Sequence, residues 1–221
     1  MRLATLLSLI LLVPSLVIAA TATESWEGTY GPLAVVGTGS PPILAAPRLG
    51  FPVDPIHGTK YLELINNSPS GTPSAYVAWI KNLDPGETVE VSLYWHDAVP
   101  DTFVISAHWN MSTSDIYSYD GDAGSFLATD TGTGWDVASG SWEAPTLPFN
   151  YLGLVIEVPL IVAYGDTLLL DAMEITTSAG AYIMTEPEHE STVPVAEPLA
   201  VAIVLLIASV YILRRRFVQT C

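Results

Sequence analysis

Cysteine is nearly absent: Cys221, the last residue, is the only one, so no disulfide can form within the chain. A domain without such staples depends on its own core, which a stretch of this length can build. Cations are scarce as well. The sequence holds 7 Lys and Arg against 23 Asp and Glu, a net charge of −16, and only Arg48, Lys60 and Lys81 stand between the first apolar run and Arg214. An acidic field of this size repels nucleic acid and anionic headgroups, which excludes partners held through a basic patch and leaves neutral ligands and cations. There is no convincing 3.6-residue periodicity and no G-x-S-x-G elbow, and the lone thiol lies beyond the terminal arginines. Helical folds and nucleophilic catalysis therefore have no support.

What is present begins with the two ends. Met1 and Arg2 precede an apolar run from Leu3 to Ala20, and Ala20-Thr21-Ala22 supplies the small residues of a leader-peptidase site, so the mature chain is expected to begin at Thr23. At the other end, Leu199 to Leu213 is apolar apart from Ser209 and Tyr211, and Arg214-Arg215-Arg216 follows. Fifteen helical residues reach only about 22 Å, short of the roughly 30 Å hydrocarbon layer. The arginines set an orientation with the N-terminal domain outside. The expected division is a signal peptide over 1–22, a β-sandwich ectodomain over 23–180 and an acidic, proline-containing linker over 181–198. A transmembrane helix over 199–213 and a basic cytoplasmic tail over 214–221 complete a single-pass protein at the cell surface.

Between these ends two-residue alternation recurs. Val89, Val91, Leu93 and Trp95 alternate with Thr88, Glu90, Ser92 and Tyr94, and Asp84-Pro85-Gly86 turns the chain into that strand. Further strands are expected at Lys60 to Ile65, Ser74 to Lys81, Thr102 to Asn110, Tyr151 to Val158 and Thr167 to Thr176. Short, evenly spaced strands predict an all-β fold, an antiparallel β-sandwich or jelly roll. Asp115 to Pro145, rich in Gly, Asp, Ser and Thr, reads as loops with one short strand around Trp135, and Glu186 to Pro198 reads as linker.

Two resemblances bear on function. Val193-Pro194-Val195-Ala196-Glu197-Pro198, a short apolar helix and then Arg214-Arg215-Arg216 resemble the tripartite sorting signals recognised by exosortases and archaeosortases. That resemblance implies a sortase-like processing enzyme as partner and re-anchoring after export. A plain single-pass anchor is the alternative, and the extension Phe217 to Cys221 departs from the sorting pattern. The order of Ser25-Trp26-Glu27-Gly28, Gly58 to Leu64, Ala75 to Leu93 and Leu170 to Ile175 is similar to the galactose-binding-like jelly rolls of carbohydrate-binding modules. It implies a structural calcium ion shared by Glu27 near the first strand and Asp171 in the last.

Other chemistry is weakly marked. Asp120-Gly121-Asp122 does not continue as an EF-hand, and His96 and His108, which could meet across a hairpin, lack a third zinc ligand of recognisable spacing. Trp79 and Trp95 sit in strand patterns and are expected in the core, whereas Trp135 and Trp142 stand in the polar segment and are the candidates for stacking on a sugar. Asn66-Asn67-Ser68 and Asn110-Met111-Ser112 are acceptor sequons for glycosylation. The leading expectation is a non-enzymatic surface protein serving adhesion, envelope structure or glycan binding, with an extracellular glycan or envelope protein as partner. The alternative is a tethered hydrolase of extracellular polysaccharide, for which no pair among 23 carboxylates is singled out.

Overall fold

The computed structural model describes residues 19–97, 102–129, 131, 134–146, 152–178, 180–187 and 189–191. The segment from 192 onward, with Val193, Pro194, Pro198, the apolar stretch and Arg214, Arg215 and Arg216, lies outside the described residues, as do residues 1–18, where the signal peptide is expected. The described chain is all β. Its strands are β1 (Ala20–Glu24), β2 (Ala34–Val36), β3 (Ile43–Leu49), β4 (Lys60–Asn66), β5 (Ser74–Lys81), β6 (Thr88–Asp97) and β7 (Thr102–Asn110). They continue with β8 (Gly121–Thr129), β9 (Asp136–Glu143), β10 (Gly153–Pro159), β11 (Thr167–Thr177), β12 (Tyr182–Glu186) and β13 (His189–Ser191).

Two antiparallel sheets result. One runs β3-β4-β11-β6-β9 with β1 added to β11, and the other runs β13-β12-β5-β10-β7-β8 with β2 added to β5. Consecutive strands β6 and β7 belong to different sheets, so the chain crosses the sandwich there. Alternation sets which face is buried: Val89, Val91, Leu93 and Trp95 point inward, and the Trp95 ring stacks on Phe103 of the opposite sheet at 4.8 Å. Each such side chain contributes about 1.5–3 kcal/mol by leaving water, and together these rows weld the sheets. The Asp84 turn forms as expected, with Glu87 N donating to Asp84 O at 3.0 Å and Gly86 at φ 80°.

The structure corrects three boundaries. The segment 115–145, expected as loops with one short strand around Trp135, contains two edge strands, β8 and β9. β9 alternates Ala138, Gly140 and Trp142 inward with Val137, Ser139 and Ser141 outward, and its small inner residues conceal the period. The first residues of the expected linker belong to the domain: β12 pairs with Trp79, Ile80 and Lys81 of β5 and buries Ile183 completely, and β13 pairs with β12. The expected domain start at Thr23 falls inside β1, whose five residues pair with β11.

Candidate functional site

The outer face of the seven-stranded sheet carries an aromatic cluster. Tyr76 of β5 lies opposite Glu157 of β10, and His108 of β7 lies opposite Val155, two residues along β10, so all share one face. Ala107, Ile105 and Phe103 point the other way into the core, which fixes the His108 face as the outer one. The loop after β7 brings Tyr117 and Tyr119 over it. Ring centroids are 5.3 Å apart for Tyr76 and His108, 6.3 Å for Tyr76 and Tyr117, and 5.2 Å for His108 and Tyr119. Tyr76 and His108 are buried, while Tyr117 and Tyr119 keep 59% and 63% of their surface exposed.

That loop is held rigid by its own short polar side chains. Asn110 Nδ2 donates to the carbonyls of Asp115 and Ile116 at 3.0 and 3.3 Å, and Asn110 Oδ1 accepts Ser112 N at 2.8 Å. Ser112 Oγ accepts Asp115 N, Asp115 Oδ1 accepts Tyr117 N, and Asp120 Oδ2 accepts Met111 N at 2.7 Å. Such side-chain to backbone bonds replace the ladder bonds that a loop lacks. The backbone that carries the two exposed tyrosines is thus braced.

Tyr117 also walls a groove of about 600 Å³ between the segment around β2 and strand β3. Leu33, Ala45 and Ile65 give it an apolar lining, and Arg48 and Glu63, paired at 2.9 Å, also line it. Burial, and after it the negative charge of Glu157, pushes the Tyr76 hydroxyl up to about 12, so it remains a hydrogen-bond donor at every ordinary pH. Glu157 Oε1 stands 3.5 Å from His108 Nδ1.

The other residues singled out by sequence lie elsewhere. Glu27 and Asp171 grip one strap, the segment leading into β4. Asp171 Oδ2 accepts Ile56 N at 2.7 Å and His57 N at 3.1 Å, and its Oδ1 accepts Ala172 N at 2.7 Å. Glu27 Oε1 accepts the N–H groups of Thr59 and Lys60, each at 2.7 Å, and Oε2 accepts the Thr59 hydroxyl. The Lys60 ammonium donates to the carbonyls of Glu27 and Gly28 at 2.7 and 2.8 Å. These bonds from Lys60 and Thr59 hold the Glu27 carboxyl below its usual range, whereas burial raises that of Asp171 against the pull of its N–H donors. As arranged, every carboxylate oxygen of the pair faces a donor, and the Lys60 ammonium holds the carbonyls of Glu27 and Gly28.

Trp135 is half-buried, donating Nε1 to Asp54 O at 2.7 Å with its ring against Tyr61 and His96. Trp142, expected at the surface, is 4% exposed in β9 with its ring edge-on to Phe126 at 5.1 Å. Trp79 and Trp95 are buried as expected. Asn66 and Asn110 are buried too, Asn66 Nδ2 donating to Val162 O at 2.7 Å, so the folded domain presents neither sequon. The reason is general: N-x-S also encodes a turn in which the Asn oxygen accepts the Ser N–H, as in both cases here. His96 and His108 do not meet, because their strands lie in different sheets. Sequence reasoning missed the tyrosine cluster, although Tyr117 and Tyr119 at a two-residue spacing within a polar loop were its visible trace.

No family model matches the sequence, and no curated protein matches it. Among solved structures, the chain is similar to the xylan-binding domain CBM22-1 of Xyn10C from Paenibacillus barcinonensis, at 15% identity over 72% of this chain and 94% of that one, with a TM-score of 0.44. The K1 cleaved adhesin domain of Lys-gingipain from Porphyromonas gingivalis shares 12% identity over 71% and 97%, with a TM-score of 0.46. An arabinose-bound MgGH51 α-L-arabinofuranosidase shares 12% over 69% of this chain and 25% of that one, at 0.45. With TM-scores below 0.5, none of these likenesses transfers a ligand or a role to this chain.

Proposed function

We propose that the chain is a non-enzymatic, glycan-binding β-sandwich displayed at the cell surface, and that it takes a neutral polysaccharide in the groove walled by Tyr117. The carrying observation is the pair of exposed tyrosines, Tyr117 and Tyr119, on a loop braced by the Asn110 and Asp115 bonds, with Tyr117 lining a groove of about 600 Å³. The C–H faces of pyranose rings lie flat on such aromatic rings, and tyrosine offers that area with little side-chain entropy to lose. Arg48 and Glu63, which line the groove, supply a donor and an acceptor for sugar hydroxyls. Neutrality follows from charge. Each of the ectodomain's three strong cations is engaged: Arg48 with Glu63, Lys60 with two carbonyls, and Lys81 at 4.1 Å over the Trp79 ring. A uronate or sulfate would also meet the repulsion of a chain of net charge −16.

Export by a leader, anchoring through 199–213 and handling of Val193, Pro194 and Pro198 by a sortase-like enzyme belong to the same reading and rest on the sequence. In this reading adhesion or an envelope role follows from glycan binding on a tethered domain. Retention of the full chain on neutral and acidic polysaccharides tests it. Binding to a neutral chain that drops at least about tenfold in a Tyr117→Ala/Tyr119→Ala variant of unchanged Tm supports it. Equal binding by that variant removes the site, and release of reducing ends turns the reading toward the tethered hydrolase.

A further inference from the structure

Strand β1 pairs with β11 along its whole length, from Ala20 opposite Thr177 to Glu24 opposite Met173. Ala20 and Ala22 are 1% and 7% exposed, and Thr21 and Thr23 face solvent. The carboxylate of Glu24, also buried, accepts Trp26 N at 2.6 Å and so ties the strand's end to the chain that follows. Ala20-Thr21-Ala22 is therefore built into the six-stranded sheet. A cut after Ala22 would leave Thr23 and Glu24 as a two-residue stub, strip the partner from Ile175, Thr176 and Thr177 on that edge, and uncover Ile175, which is fully buried.

Ala19, in contrast, is exposed and stands just before the strand. The Ala19–Ala20 bond is the last one ahead of the fold. Val17-Ile18-Ala19 places compact side chains first and third before it, the pattern that a leader peptidase reads. We propose that the leader is removed by hydrolysis of the Ala19–Ala20 bond, with Ala19 as the new C-terminus of the leader and Ala20 as the first residue of the mature domain, so that β1 survives export whole. The inference deepens the export reading above and stands on the β1 ladder.

N-terminal sequencing and intact mass of the exported full chain decide it. A chain beginning at Ala20 is the expected result, and one beginning at Thr23 or retaining Met1 overturns the proposal. Glycan retention by the same material is scored separately, so failure here and failure of the binding site are distinguishable. Two further measurements guard the argument. Ala19→Glu, which puts a large charged group beside the cut, is expected to abolish removal at this bond, and processing to an unchanged mature mass overturns the assignment. Leaderless chains started at Ala20 and at Thr23 are expected to differ in Tm on the order of 5 °C in favour of the longer, and equal values would mean that β1 does not need its first three residues.

Discussion

Replacing Asp171 by alanine tests whether the strap before β4 is held by carboxylates alone. Asp171 is fully buried and takes three backbone donors, Ile56 N, His57 N and Ala172 N, within 3.1 Å. A buried donor left unsatisfied costs about 1–3 kcal/mol, which bounds the loss for three. Two effects reduce it. Ile56 is 44% exposed, so water can reach part of the strap, and burial raises the Asp171 carboxyl, so deleting the charge returns some desolvation energy. A net loss of about 2–4 kcal/mol remains, which in a domain of this size lowers Tm by about 5–15 °C. Calorimetry gives the total, and hydrogen exchange at the Ile56 and His57 amides locates it. The same calorimetry is repeated with millimolar calcium, which is expected to leave the wild-type Tm within about 1 °C. An ion bound at a hundred times its Kd would add about 2.7 kcal/mol and could not be missed. A Tm change below about 2 °C in the variant, or a clear calcium-induced rise in the wild type, would refute the reasoning.

Trp142→Ala is expected to cost about 3–5 kcal/mol by unfolding titration, because the ring fills the core against Phe126, and to leave glycan affinity per folded molecule unchanged. Expression in a glycosylating host is expected to leave Asn66 and Asn110 unmodified in peptide mass maps, since both amides are buried donors in the fold. Stability is expected to rise as the pH falls from 7 toward roughly 4. Burial raises both Glu24 and Asp171, and a carboxyl raised on folding stabilises below its unfolded value and loses that contribution as pH climbs through the folded one. Chemical denaturation at stepped pH checks the sign, and Asp171→Ala is expected to flatten the slope.

The strands that were legible in the sequence are those whose inner residues are large. Val89, Val91, Leu93 and Trp95 announce β6, and Leu168, Leu169 and Leu170 announce β11. β9 hides its period because Ala138 and Gly140 occupy inward positions, Gly140 making room for the Phe126 ring that an added Cβ would strike. β12 hides in an acidic context, where one buried Ile183 is too little signal. The site was harder still. A search for sugar-stacking rings among tryptophans favours Trp142, yet its exposure depends on which side of β9 it falls, a matter of register that composition does not carry. Glu27 and Asp171 do converge on one strap, but what they hold there is backbone N–H, because Gly58 at φ 71° lets the chain curl around the Glu27 carboxylate.

The placement of β11 has a temporal side. It lies between β4 and β6 and also receives β1, so three partners wait for one strand that is made almost last. Ala20 meets Thr177 only after more than 150 intervening residues have been synthesised, and the β3-β4 and β6-β9 pairs have no common sheet until then. Contacts of such long range form late, after the loop-closure entropy has been met. The six-stranded sheet therefore closes only once β11 is available, and that closure is expected to be the slow step of folding.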